Sequence, residues 1–130
     1  MERELTPEEL FFFQGKESAL PLYVGFRKRL YSELPDTVLK VQKTQIGLYL
    51  RHLFGAVSFL PVRKADMRPD CFLTLSFGTG RPISSPRIDA AAEPYPGRWT
   101  NHVMLTVPED VDEELMGWIR EAAAFSAGKR

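Results

Sequence analysis

Lys43, Gln45 and Tyr49 are spaced so that, on an extended chain, their side chains leave the same side. A cation, an amide and a phenol on one strand face can bind an anion and stack on a ring. Gly47 lies between them and leaves room for a ligand to approach the backbone. His102 adds a group that donates, accepts and titrates near neutrality. Arg87 adds a planar fork suited to phosphate or carboxylate. Lys43, Gln45, Tyr49, Arg87 and His102 therefore form the candidate ligand-binding site, a border for one bound anion.

Other chemistry has little support. Gly78-Thr79-Gly80 starts like a dinucleotide fingerprint, but Ile83 stands where the third glycine is required. It reads as a strand turn. Two histidines, His52 and His102, with one cysteine are too few for a structural zinc site without carboxylates, so no metal is expected. His52 falls at a strand end. No Gly-x-Ser-x-Gly motif is present, and Cys71 alternates with core positions, so it reads as a small, inert hydrophobe. No catalytic residue and no cofactor is assigned.

The chain has 130 residues, 44% hydrophobic and 26% charged, which suits one globular domain. Its formal net charge is zero, which argues against a strongly electrostatic nucleic-acid protein. The charge is unevenly spread: residues 1–36 carry −2, residues 37–100 carry +5, and residues 101–130 carry −3. One cysteine cannot form an intrachain disulfide. The start lacks the pattern of a signal peptide, and no stretch reaches the roughly 18 apolar residues of a membrane span. The expectation is a soluble cytoplasmic protein with no membrane contact.

The elements that must position the candidate residues follow from periodicity. Thr6-Pro7-Glu8-Glu9 starts a short helix with a capping box, ended by Gln14-Gly15. Phe11, Phe12 and Phe13 cannot share one helical face, so at least one meets a second surface, in this chain or in another subunit. A second helix runs from about Ser18 to Leu34, with Leu22, Phe26, Leu30 and Leu34 as its stripe. Thr37 to Val41 is a strand that Lys43 to Arg51 continues or pairs with, and Ile46, Leu48 and Leu50 face a core. Phe54 to Val62 is apolar on both sides and reads as a central strand. Arg63 to Asp70 is a polar loop. Strands follow at Cys71–Phe77 and Trp99–Val107.

The proline-rich stretch between those strands is loop, with at most a short edge strand near Arg87-Ile88-Asp89. A last helix begins near Asp110, with Glu113 completing a capping box and Leu115, Trp118, Ile119 and Ala122 buried. The non-core face of the sheet then shows Lys43, Gln45, Tyr49 and Arg51 with Phe72, Thr74, Ser76, His102, Met104 and Thr106, bordered by Arg87 and Arg98.

Lys43-Thr44-Gln45-Ile46, Phe54-Gly55-Ala56-Val57, and His102-Val103 followed by Asp110-Val111-Asp112-Glu113-Glu114-Leu115 and Trp118-Ile119 occur in an order that resembles a bacterial family, domain of unknown function 5655. The likeness covers roughly residues 20–125. It implies a small α+β domain and no established activity.

The expected architecture is α+β: one two-layer domain with a mostly antiparallel sheet of about four to six strands and its N- and C-terminal helices on one face. Residues 1–17 hold the short helix, 18–36 the second helix, 37–107 the sheet with a proline-rich loop over 78–98, and 108–127 the last helix. The expected function is a small binding module for nucleic acid or a small anionic ligand through the open face. The alternative is an interaction module that forms a homodimer or docks to a partner domain. An enzyme using His102 is the third choice.

Overall fold

The computed structural model describes residues 4–63 and 70–128. The polar loop expected over 63–70 falls mainly on residues 64–69, outside those described, as does the chain start at residues 1–3.

Among the described residues, two α-helices, six strands and a last α-helix follow one another in the predicted order. Helix α1 (Pro7–Phe12) is capped by Thr6, whose side chain accepts from Glu9 N while the Glu9 carboxylate accepts from Thr6 N. A 3₁₀ turn at Glu17–Ala19 leads into α2 (Leu20–Glu33), with Pro21 in its first turn, where a missing N–H costs nothing. The strands are β1 (Val38–Val41), β2 (Gln45–Tyr49), β3 (Leu53–Ser58), β4 (Leu73–Thr79), β5 (Ala90–Tyr95) and β6 (Arg98–Leu105). Helix α3 (Glu113–Ala127) closes the fold.

The strands form one antiparallel sheet in the order β1-β2-β3-β4-β6-β5. Register carries one parity across it. Ile46 lies opposite Val57, Val57 opposite Leu75, and Leu75 opposite Val103, all buried under the helices. Leu22, Tyr23, Phe26 and Leu30 of α2 and Leu115, Met116, Trp118 and Ile119 of α3 complete this core. Ile46, Leu48, Leu115, Trp118, Ile119 and Ala122 are buried as expected. Leu50 is only half-buried, because β2 ends in a bulge at Leu48/Tyr49 that breaks the alternation.

Several boundaries differ from those predicted. Lys43 stands in the turn joining β1 to β2 and not in the strand. β3 stops at Ser58, three residues before Pro61. The proline-rich segment supplies a full edge strand, β5, with Pro94 tolerated at a bulge between Ala92 and Tyr95. Helix α3 starts after Asp112, whose side chain accepts from Leu115 N. Asp110 instead caps the end of β6, accepting from Thr106 N and Val107 N. Cys71 precedes β4, is half-buried, and donates to Ser18 O at 3.1 Å, so it lies at the margin of the core.

One buried polar cluster ties α1 to α2. Glu9 accepts from Tyr23 Oη and from Arg27 Nε (2.9 Å) and Nη2 (3.3 Å), and Arg27 also donates to Glu4 O. All three side chains are buried. Burial alone would raise the Glu9 carboxyl, but bonds from Tyr23, the Thr6 amide and Arg27 outweigh it and hold the pKa below the ordinary carboxylate value. A depressed folded pKa gives stability present above the unfolded value and lost as pH falls through the folded one. Arg27→Ala leaves Glu9 buried and unpaired. Its expected cost is about 3–5 kcal/mol by denaturant titration. A loss under about 1 kcal/mol, the range of an exposed pair, would contradict this role.

Candidate functional site

The second face of the sheet is thin where the first is bulky. On the parity opposite to the core, Gly47 pairs with Ala56, Ala56 with Ser76, and Ser76 with His102. Small residues on three adjacent strands thus lead to an imidazole on the fourth. Ala56, Ser76 and His102 of that row floor a cleft of about 920 Å³.

Register orders the cleft from end to end. At the β1–β2 turn it is lined by Gln42, Lys43, Thr44, Gln45 and Ser58, with Phe11, Phe12, Phe59 and Leu60 alongside. In the middle lie Ala56, Ser76 and His102. At the far end, where β3 begins and β4 ends, lie Leu53, Phe54, Phe77, Gly78, Thr100, Ala122, Phe125 and Ser126. Two aromatic contacts shape the ends. Phe12 stacks on Phe59 with ring centroids 5.4 Å apart. Phe125 crosses so close to Gly80 that a Cβ there would lie 2.9 Å from the ring.

The face is not wholly open. Chain leaving β3 folds across it: Thr74 Oγ1 donates to Leu60 O at 2.6 Å, and Arg63 Nε bonds Asp89 Oδ1 at 2.7 Å. Asp89 Oδ2 in turn accepts from Met104 N at 2.8 Å. Thr74 and Met104, expected on an exposed surface, are consequently buried.

The structure brings together Lys43, Gln45 and His102 of the five candidates. Their strands are not neighbours, since β3 and β4 lie between β2 and β6, but the cleft spans all four. Tyr49 does not line it. Its hydroxyl accepts from Gln42 Nε2 at 3.4 Å, Lys40 Nζ sits 4.3 Å from its ring centroid, and the ring lies across Gly47. A Cβ on Gly47 would stand 2.7 Å from that ring, so the bare position accommodates the chain's own phenol and not a ligand.

Arg87 is also elsewhere. Its Nη1 bonds Asp112 (2.8 Å) and Glu114 (3.0 Å), its Nη2 donates to Asp110 O (2.7 Å), and its guanidinium lies 5.7 Å from the Trp118 ring centroid. The fork that sequence offered to a ligand anchors the segment before β5 to the start of α3. Arg98, also offered as a border, does not line the cleft, and His52 stands in the β2–β3 connection.

His102 is half-buried, and burial lowers its pKa from the ordinary imidazole value. Its Nδ1 lies 2.7 Å from Ser76 Oγ. Nε2 makes no hydrogen bond to the protein and is not among the sealed, unpartnered polar atoms, so it remains reachable from the cleft. The lining residues missed by sequence reasoning are mainly Ala56, Ser58, Leu60 and Phe125; Ser76 was expected on this face but not in the site. The small residues at one parity on β3 and β4 were a usable signal; Phe125, reaching from the end of α3, had none.

A family model for a domain of unknown function (DUF5655) matches residues 11–126. The chain belongs to this family. The match takes in every strand of the sheet and all but the last residue of α3, so cleft and core are both family territory. No curated protein and no solved structure matches the chain. Among the described residues, no group of three or more His, Cys, Asp and Glu side chains is placed to hold a metal, and no helix is long and apolar enough to cross a membrane.

A lowered imidazole pKa has a definite sign. Between the folded and unfolded pKa values the unfolded chain binds more protons, so stability falls as pH drops below the unfolded value of about 6.5 and levels off below the folded one. The His102 ring is expected to titrate below 6.5 by NMR, with His102→Gln flattening the stability profile over that window. A midpoint at or above 6.5 would show that burial does not govern the ring.

Proposed function

We propose that this domain is a small-molecule binding module and that the cleft on the second face of the sheet is its site. One observation carries the reading: small side chains in register on β3 and β4, Ala56 opposite Ser76, leave a cleft of about 920 Å³ flanked by aromatic rings. Binding sites for small molecules commonly have this size, an apolar lining and a few placed polar groups. Here the polar groups are Gln45, Ser58, Ser76, Thr100 and His102.

A nucleic-acid site draws less support. Arg29, Arg63, Arg81, Arg87 and Arg120 each pair with a carboxylate, and Arg27 is bound to Glu9. Lys43 is the single cation among the described residues lining the cleft. Tracking a phosphate backbone takes several accessible cations.

The test is a fragment screen by ligand-observed NMR, repeated on two variants that fill the floor, Ser76→Leu and Thr100→Phe. Hits are expected to compete for one site and to lose binding at least tenfold in both variants, with melting temperatures showing that each remains folded. Hits that bind both variants as well as the parent place the site elsewhere and overturn the reading.

A further inference from the structure

The two ends of the cleft differ in charge, and the difference specifies a ligand. At the β1–β2 turn stand Lys43, Thr44, Gln45 and Ser58 beside Phe11, Phe12, Phe59 and Leu60, and Lys43 there is charged and exposed. Gln45 Nε2 donates to Gln42 Oε1 at 3.0 Å, and the Gln45 side-chain Oε1 has no protein donor. At the far end stand Leu53, Phe54, Thr100 and Phe125, while the Phe77 ring there is turned into the core, stacked on Trp118. The one hydroxyl of α3 there, on Ser126, already donates to Leu53 O at 3.4 Å. No carboxylate lies among the described lining residues.

The span is set by the strands beneath. Ser58 at the polar end pairs with Thr74, while Gly78 at the apolar end lies four residues further along β4, about 14 Å at the rise of a strand. A molecule lying along this axis meets a cation first, then Ala56 with the Ser76–His102 pair, then Phe54 and Phe125 with no charged group beside them.

We infer that the ligand is an elongated amphipathic monoanion, a carboxylate head at Lys43 and an apolar body running over Ala56 toward Phe54 and Phe125. The inference rests on the cleft being the binding site and adds the class and orientation of its occupant. Lys43 supplies the charge-assisted bond that distinguishes an acid from a neutral analogue. The absence of a carboxylate at either end of the described lining disfavours a cationic head by leaving it unpaired. Leu53, Leu60 and Phe11, 40%, 46% and 75% exposed, border the cleft and gain cover when an apolar body lies between them.

Isothermal titration with decanoate, decanol and decylamine tests this, with naphthoate as an aryl acid, on the parent chain, Lys43→Met, and Arg98→Ala as a charge control outside the cleft. Decanoate or naphthoate is expected to bind, and the acid to bind about tenfold more tightly than decanol, the size of one charge-assisted hydrogen bond. Lys43→Met is expected to abolish that preference while leaving decanol unchanged, and Arg98→Ala to leave both unchanged. Equal binding of acid and alcohol by the parent overturns the anionic head but keeps the cleft as the site. Failure of all four probes overturns the inference and counts against the cleft itself. Concentration-dependent dimerisation on sedimentation, lost in Ser76→Leu, assigns the cleft to a second copy of the chain and also overturns it.

Discussion

Alternation of side chains through the central paired strands is the constraint on which the rest of the structure depends. Antiparallel register passes one parity from Ile46 through Val57 and Leu75 to Val103. Every large aliphatic residue of one parity is therefore committed to the helical layer. The other parity is left with Gly47, Ala56, Ser76 and His102 in one row. Burying the first set under α2 and α3 stabilises the domain by removing apolar area from water. The same register leaves the second face low enough to form a cleft. Core and site are thus two consequences of one pattern, and a slip of one residue in any strand would exchange them.

The ends of the cleft depend on elements outside the sheet. Helix α1 brings Phe11 and Phe12 to the β1–β2 end, and its position is held by Phe13 in the core and by the Glu9–Tyr23–Arg27 cluster. A buried ion pair is a weak source of net stability but a strong specifier of geometry once formed. At the other end Phe125 from α3 reaches over Gly80, where any larger residue would push it away. Three distant parts of the chain, α1, the β3 exit and the end of α3, converge on one space, as expected for a ligand cleft supported by a rigid sheet.

Much of the fold was legible because its signals are local. The Thr6–Glu9 capping box, the fourfold spacing of Leu22, Phe26 and Leu30, and the alternation of Leu73, Leu75, Val103 and Leu105 each lie within a few residues. The site was legible only in part. Gln45 and His102 could be placed by parity and Lys43 by its nearness to Gln45, but the partners of Arg87 lie 25 and 27 residues away at the start of α3, and no short-range pattern announces them. Tyr49 misled for a related reason: its phenol and the gap at Gly47 were both visible in sequence, but not that one fills the other. Strand β5 was hidden by Pro94 and by alanines that carry no β-forming signal. What sequence could least supply was how chain beyond Ser58 returns over the sheet to bury Thr74 and Met104.

The central claim is that small residues in register make the second face a binding site. A backbone amide shift map, recorded while titrating the strongest hit of the fragment screen, tests it most directly. The account predicts that the largest shifts cluster at Gln45, Ala56, Ser58, Ser76, Gly78, Thr100 and His102, residues from four different strands. Shifts gathered instead on the exposed sides of α2 and α3, with those seven amides unmoved, would contradict it.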